Sequence, residues 1–196
     1  MKNDHELERN IAAFNADTVQ HGGYVYTTVD RWSSHYATGR QTDELVRMLF
    51  ENYSSSIRIV DIGCGDGTFT KEIANRFRAS AIRGIDPAAN AVRAASSQLA
   101  QGLSGIVSFE TGDIYSIEAR GEDLAIVRGV LHHLDRPKEA ITQLARQFPA
   151  VLALEPNGYN PAMKIIEKTS SYHRQHDEKS YWPPLLNSWF EEVGLS

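Results

Sequence analysis

The chain predicts an α/β fold: a doubly wound, mostly parallel sheet with helices on both faces. Three observations predict it. Short apolar runs of strand length begin near residues 57, 81, 105, 124 and 150, and segments of helical period alternate with them. The first run opens through a glycine-rich turn straight into a helical pattern. Polar residues (Asp61, Asp86, Asp113, Arg128 and Glu155) recur at or just past the ends of these runs. Open parallel sheets bind ligands outside the carboxyl ends of their strands, where strand order reverses.

Leu7, Ile11 and Phe14 stand at i, i+4 and i+7, which predicts a short amphipathic helix over 4–16, broken at Gly22-Gly23. Residues 24–40 are aromatic and polar (Tyr24, Tyr26, Trp32, His35, Tyr36) without a clean period. They suit a lid over the crevice, or packing between domains. Thr42 reads as a helix N-cap, with Asp43 and Glu44 in the first turn and Leu45, Val46, Leu49, Phe50 and Tyr53 inward. The chain therefore divides into an N-terminal helix and aromatic lid, 1–40, and a ligand-binding domain, 41–196.

Strand 1 covers 57–62, followed by a helix with Phe69, Ile73, Ala74 and Phe77 on one side. Strand 2 covers 81–85, followed by a helix with Ala88, Val92, Ala95 and Leu99. Strands 3 and 4 cover 105–109 and 124–127. Asp135 caps the next helix, with Pro137 in its first turn and Ile141, Leu144 and Phe148 inward. Strand 5 covers 150–154. Asn160-Pro161 starts another helix, with Ala162, Ile165 and Ile166 apolar. Pro183-Pro184 precedes the last, with Leu185, Leu186, Trp189, Phe190 and Val193, stopped by Gly194. His173 and His176, beside Asp177 and Glu178, have a spacing that could hold a divalent metal. Two ligands make a weak pattern, and a solvated charged helix end accounts for them; no metal is assigned.

A length of 196 residues suits one domain with a substantial core. The net charge of -5 gives no basic footprint for nucleic acid or anionic lipid. Cys64 is the single cysteine, so no intramolecular disulfide framework exists. The start lacks a signal-peptide core, no apolar run is long enough to span a bilayer, and the cytoplasm is the expected compartment.

Residues 57–68 carry the most chemistry: Ile-Arg-Ile-Val-Asp-Ile-Gly-Cys-Gly-Asp-Gly-Thr. The glycines let a ligand approach the backbone. Their pattern is G-x-G-x-G, with Thr68 where a dinucleotide fingerprint wants its third glycine. No Gly-Lys-Ser/Thr follows, which excludes a P-loop. The acid inside this corner, Asp61, suits ammonium and hydroxyl groups rather than phosphates. The segment resembles motif I of the class I S-adenosylmethionine-dependent methyltransferases, roughly V-D-x-G-C-G-x-G. The resemblance covers about residues 40–155.

That resemblance implies S-adenosyl-L-methionine as cofactor and assigns roles. Asp61, Gly63, Cys64 and Gly65 correspond to the corner that holds the methionine end. Asp86 corresponds to the acid that takes both ribose hydroxyls, with Pro87 flanking the adenine. Asp113 corresponds to the acid that binds the adenine amino group, and the N–H of Ile114 meets a ring nitrogen. Arg128-Gly129-Val130-Leu131-His132-His133 is similar to the segment that runs under the transferred methyl. Simpler roles stand beside these: a helix cap for Asp86, a turn acid for Asp113, a small residue in a tight corner for Cys64. His132 and His133 are the candidate bases, or they pack and hydrogen-bond. If extended, they point to opposite sides.

The implied reaction is direct methyl transfer, with the protein orienting and desolvating. No Asn/Asp-Pro-Pro-aromatic motif follows strand 4, which argues against amide or exocyclic-amine acceptors. The carboxylate-rich site of the metal-dependent catechol type is not evident. The acidic balance disfavours RNA or DNA, leaving a small-molecule acceptor. Residues 155–160, Glu-Pro-Asn-Gly-Tyr-Asn, are expected to help shape its pocket. The family closes its sheet with an antiparallel hairpin, and that hairpin is expected to be missing here. The chain is then a fragment, or the edge of strand 5 is covered by the N-terminal segment or by a partner, such as a second copy in a homo-oligomer. The alternative to an enzyme is a methyltransferase-like regulatory subunit that binds the cofactor without turnover. A nicotinamide dehydrogenase is disfavoured by Thr68.

Overall fold

A computed structural model describes residues 11–16, 18–20, 32–54, 56–161, 164 and 180–195, the side chains of 32–35 excepted. Five strands form the middle layer: β1 (Arg58–Ile62), β2 (Ala81–Asp86), β3 (Val107–Thr111), β4 (Leu124–Arg128) and β5 (Val151–Leu154). Their spatial order is β3-β2-β1-β4-β5, and every pairing is parallel. The order reverses between β1 and β4, which sets a crevice there. Ile62 pairs with both Ile85 and Val127, so the three central strands finish nearly level.

Alternation along the strands builds two cores. Val60, Ile62, Ala125 and Val127 face Ile141 and Leu144 of α4 (Pro137–Gln147) and its C-cap Phe148. Leu186, Trp189 and Phe190 of α5 (Pro183–Glu191) complete that side. On the other face Ile59, Ile82, Leu124 and Ile126 meet Leu45 and Leu49 of α1 (Trp32–Asn52) and Ile73 of α2 (Thr68–Arg76). A third helix, α3 (Ala89–Ser97), buries Ala91, Val92 and Ala95. The central strands are buried on both faces and are mostly apolar, broken by Asp61 in β1, by Arg83 and Asp86 in β2 and by Arg128 at the end of β4. Leu45, Leu49 and Leu144 are fully enclosed, and truncating any of them to alanine costs roughly 2–5 kcal/mol.

Several local expectations need correction. Thr42 is not an N-cap: α1 begins at Trp32 and runs unbroken past residue 40. Thr42 lies buried inside it, with its hydroxyl 3.0 Å from the Thr38 carbonyl oxygen. That i−4 contact satisfies a threonine within a helix as well as a cap would. Asp135 does not cap α4, whose N-cap is Arg136. Instead the Asp135 carboxylate accepts from the Tyr115 hydroxyl at 2.9 Å. β3 starts at Val107 rather than 105, because Ile106 N–H closes a turn onto Leu103 O at 2.9 Å.

Among the described residues the sheet stops at β5 on one side and β3 on the other. No helix among them is long and apolar enough to cross a membrane. The expectations for 4–10, for the aromatic residues 24–31, and for 165–178 with His173 and His176 lie outside the described residues.

Candidate active site

The glycine corner joins β1 to α2. Gly63 and Gly67 are left-handed, at φ 75° and 72°. A Cβ on Gly63 would lie 2.3 Å from Val130 Cγ2, and one on Gly67 would lie 2.5 Å from Phe109 Cζ. Glycine is thus required for conformation and for room. The corner's amides are largely spoken for. Gly63 and Cys64 N–H donate to Ile85 O, Gly67 N–H to Cys64 O, Gly65 N–H to Asp86 and Thr68 N–H to Asp66. An open anion cradle would leave those groups pointing at a ligand. Here carboxylates do the opposite: Asp61, Asp66 and Asp86 are all buried around the turn. Buried negative charge calls for a cation or for hydroxyl donors. These acceptors fit the ammonium and ribose of S-adenosylmethionine better than a diphosphate.

Asp61, next to last in β1, points toward α2, where the Thr70 hydroxyl donates to it at 2.5 Å. Burial pushes its carboxyl up to about 6, with a smaller upward push from Asp86; Thr70 and the Arg128 charge oppose the shift. Cys64 Sγ is buried, and its thiol sits well above the ordinary range, through desolvation first and the neighbouring Asp61 and Asp86 next. It fills a tight corner and is not an activated nucleophile. Arg128, at the end of β4, lies 3.7 Å above the Phe69 ring. Its guanidinium donates to Thr42 Oγ1 and Thr38 O at 3.0 Å and to Gln41 Oε1 at 3.1 Å. Arg128 thereby anchors α1 to the rim of the crevice while placing positive charge near Asp61.

Asp86 ends β2 and accepts Gly65 N–H on one oxygen and Ala88 N–H on the other, each at 2.8 Å. It holds the glycine corner and the start of α3 together. A carboxylate has lone pairs to spare for hydroxyls beyond these two amides. Pro87 follows, half-buried. Asp113 makes a local turn, accepting Tyr115 N–H at 3.0 Å. The Ile114 side chain belongs to the core, and its N–H has no protein acceptor among the described residues.

His132 and His133 are not extended. They sit in a 3-10 turn, Leu131–His133, so their rings lie side by side with centroids 4.0 Å apart. The opposite-facing arrangement holds only for a strand, and this turn lies beyond the end of β4. Glu155, just past β5, takes Val130, Leu131 and His132 N–H at 2.9, 2.9 and 3.3 Å. The His132 Nδ1 lies 2.7 Å from the same carboxylate. The sequence marks Glu155 as a residue at a strand end and as part of the 155–160 segment expected to shape the pocket; neither its turn-capping nor its histidine contact has a signal in the one-dimensional pattern.

A helical stretch at 11–16 and 18–20 lies across the crevice rim. Phe14 meets the His133 ring edge-on at 5.4 Å and packs over Ala88 and Ala91. Asn15 Oδ1 accepts Asn90 N–H at 2.9 Å. The segment thus bridges the β4 side to the start of α3. A separate cavity of about 210 Å³ lies among Arg58, Arg83, Ser108, Arg120 and Glu122, where the strands begin. There Arg83 is neutralised by Glu122 at 2.6 Å and Glu110 at 2.9 Å, far from the crevice. Among the described residues no three His, Cys, Asp or Glu side chains gather as a metal site.

The methyltransferase domain family matches residues 60–158. The structure is similar to the YcgJ protein of Bacillus subtilis, with a TM-score of 0.66 at 18% identity, over 81% of this chain and 69% of that one. It is similar to the magnesium protoporphyrin IX methyltransferase ChlM of Synechocystis PCC 6803 with bound SAH, with a TM-score of 0.70 at 16% identity, over 85% and 78%. It is also similar to phosphoethanolamine N-methyltransferase 2 of Haemonchus contortus in complex with S-adenosyl-L-methionine. That TM-score is 0.62 at 16% identity, over 79% of this chain and 36% of the other. No curated protein matches the chain.

Proposed function

We propose that this chain, which belongs to the methyltransferase domain family and is an S-adenosylmethionine-dependent methyltransferase, serves a small-molecule acceptor. When bound, S-adenosylmethionine supplies a methyl group already activated on sulfonium sulfur. The chain's own residues hold, orient and shield. Asp61, Gly63, Cys64 and Gly65 take the methionine end, with Arg128 keeping the rim in place. Asp86 and Pro87 take the ribose side, and Asp113 with the Ile114 N–H takes the adenine. His132 and His133 stand where an acceptor proton would leave.

The observation that carries the small-molecule reading is the roof over the crevice. Phe14 reaches His133 at 5.4 Å, and Asn15 spans to Asn90 at 2.9 Å. A roofed crevice excludes water and suits an acceptor that is enclosed rather than a strand laid across the surface. The net charge of -5 supports the same choice, since a polyanion would be repelled. The proposed compartment is the cytoplasm. The proposed partner surface is the β5 edge, where a second copy could pair.

The test combines calorimetry with S-adenosylhomocysteine and with NAD(H), then release of S-adenosylhomocysteine over a panel of hydroxylic and amino metabolites, bulk RNA and denatured protein. The expected result is nucleoside binding without NAD(H) binding, and turnover on a small molecule. Turnover confined to the polymers would overturn the acceptor class. Binding without any turnover would favour a regulatory subunit.

A further inference from the structure

We infer that Glu155 is a positioning residue that selects His132, of the two neighbouring histidines, as the proton acceptor. It does so by fixing the tautomer that leaves the lone pair on Nε2. The inference rests on the methyl-transfer reading above and applies to acceptors that give up a proton. Glu155 leaves the sheet immediately after β5 and turns its carboxylate under the Leu131–His133 turn, with its side chain 3% exposed. One oxygen accepts Val130 and Leu131 N–H, both at 2.9 Å. The other accepts His132 N–H at 3.3 Å and faces His132 Nδ1 at 2.7 Å.

A carboxylate holding amide donors offers only acceptors, so Nδ1 must bring the hydrogen. In a neutral imidazole the lone pair then sits on Nε2. Among the described residues the one hydrogen bond of the His132 ring is made through Nδ1. A proton taken there creates an imidazolium whose charge lies against Glu155, the arrangement that makes a carboxylate useful behind a basic histidine. His133 is held differently: its ring leans on His132 and on the edge of Phe14. The simpler competing role is a cap. The three amides alone would explain why a carboxylate is buried here, and the histidine contact would then be incidental.

The two roles part on the tautomer. Glu155→Gln keeps one carbonyl oxygen for Val130 and Leu131 but turns an NH2 toward Nδ1, which must then accept. Nitrogen-15 histidine spectra of the full chain, with His132→Gln to assign the resonance, read this directly. The expected native pattern is a protonated Nδ1 and a bare Nε2. Glu155→Gln should move the proton to Nε2, and Glu155→Asp should keep the native pattern. Affinity for S-adenosylhomocysteine should stay within about twofold in both. Release of S-adenosylhomocysteine should fall about a hundredfold in Glu155→Gln and recover in part in Glu155→Asp. A native His132 protonated on Nε2 overturns the inference, whether or not the variants fold. So does an unchanged tautomer in Glu155→Gln, or equal losses of nucleoside affinity and turnover. Failure of the native chain to bind S-adenosylhomocysteine would instead sink the methyl-transfer reading and leave the tautomer result standing.

Discussion

Arg128 lies 3.7 Å over the ring of Phe69, so a strand-end cation is sandwiched between the first turn of α2 and the middle of α1. The same guanidinium donates to Thr42, Thr38 and Gln41. It is the strap that fixes α1 against the crevice, and it is the cation that eases ionisation of Asp61. Arg128→Met keeps much of the packing and removes the charge. Stability in urea should drop by about 1–3 kcal/mol. Affinity for S-adenosylhomocysteine should fall as well, because Asp61 loses its positive neighbour. A variant with native affinity would show that the strap is structural alone.

Asp61 should give the protein a readable pH dependence. Burial pushes its carboxyl up to about 6 from an ordinary 3.8. Below about pH 4 the group is protonated in both folded and unfolded chains and costs nothing. As pH rises toward 6 the unfolded chain ionises first, so the folded state loses stability. Above about 6 the full penalty of roughly 3 kcal/mol is present. Asp61→Asn, which retains an acceptor for Thr70, should therefore be more stable than the native chain at pH 7.5 and similar to it at pH 4. Ligand binding should run the other way. An ammonium favours the ionised acid, so nucleoside affinity should weaken as pH falls through about 6, and Asp61→Asn should bind weakly at every pH. Urea melts and calorimetry across pH 4 to 8 separate the two effects. A native chain whose stability rises steadily from pH 4 to 7, with Asp61→Asn parallel to it, would refute the assignment.

The parts of the chain that could be read in advance are those where one local rule dominates. β1 and β4 declare themselves because strands buried on both faces are dominated by apolar, β-branched residues, as in Ile59, Val60 and Ile62 or Ile126 and Val127. The glycine corner declares itself because left-handed backbone admits little else at Gly63 and Gly67. α1 starts ten residues before the cap that the sequence suggests, because Thr42, a good cap in isolation, is satisfied by Thr38 and Arg128 from inside the helix. Asp135 looked like a cap because nothing in sequence tells that Tyr115, twenty positions earlier, would take its carboxylate. Glu155 is the sharpest case. Its role depends on β5 lying next to β4, and adjacency of strands is a property of the sheet order, not of either segment.

Gly63 offers a test in which strain and contact can be separated. Gly63→Ala forces a side chain into left-handed backbone and drives its methyl to 2.3 Å from Val130 Cγ2. The conformational part costs about 1–2 kcal/mol, and the clash adds to it. Val130→Ala removes the clashing branch and leaves the backbone strain. The double variant should therefore be more stable than the sum of the single changes by about 1 kcal/mol or more. Thermal melts of the four proteins give this coupling. Simple additivity would mean that the corner relaxes away from Val130, and that the β4-side wall of the crevice is softer than its geometry indicates.

Phe14 closes the roof, and the roof has kinetic consequences. Its ring touches His133 and covers Ala88 and Ala91, while Asn15 holds the N–H of Asn90. These contacts join a segment from the start of the chain to both banks of the crevice. The helical stretch also buries Thr18, and the contacts given above go to the turn after β4 and to the start of α3 rather than to the strands, so it should lift without disturbing the sheet. Phe14→Ala removes the ring from both banks at once. Dissociation of S-adenosylhomocysteine should accelerate by about tenfold, since a contact of this size is worth roughly 1–2 kcal/mol when half-exposed. Global stability in urea should change far less than it does for Leu45→Ala, whose side chain is wholly enclosed. Hydrogen exchange should show the amides of 11–20 losing protection in the variant, and β1 and β4 keeping theirs. Equal acceleration of exchange across the sheet would mean that the segment is part of the folding unit and not a cover over it.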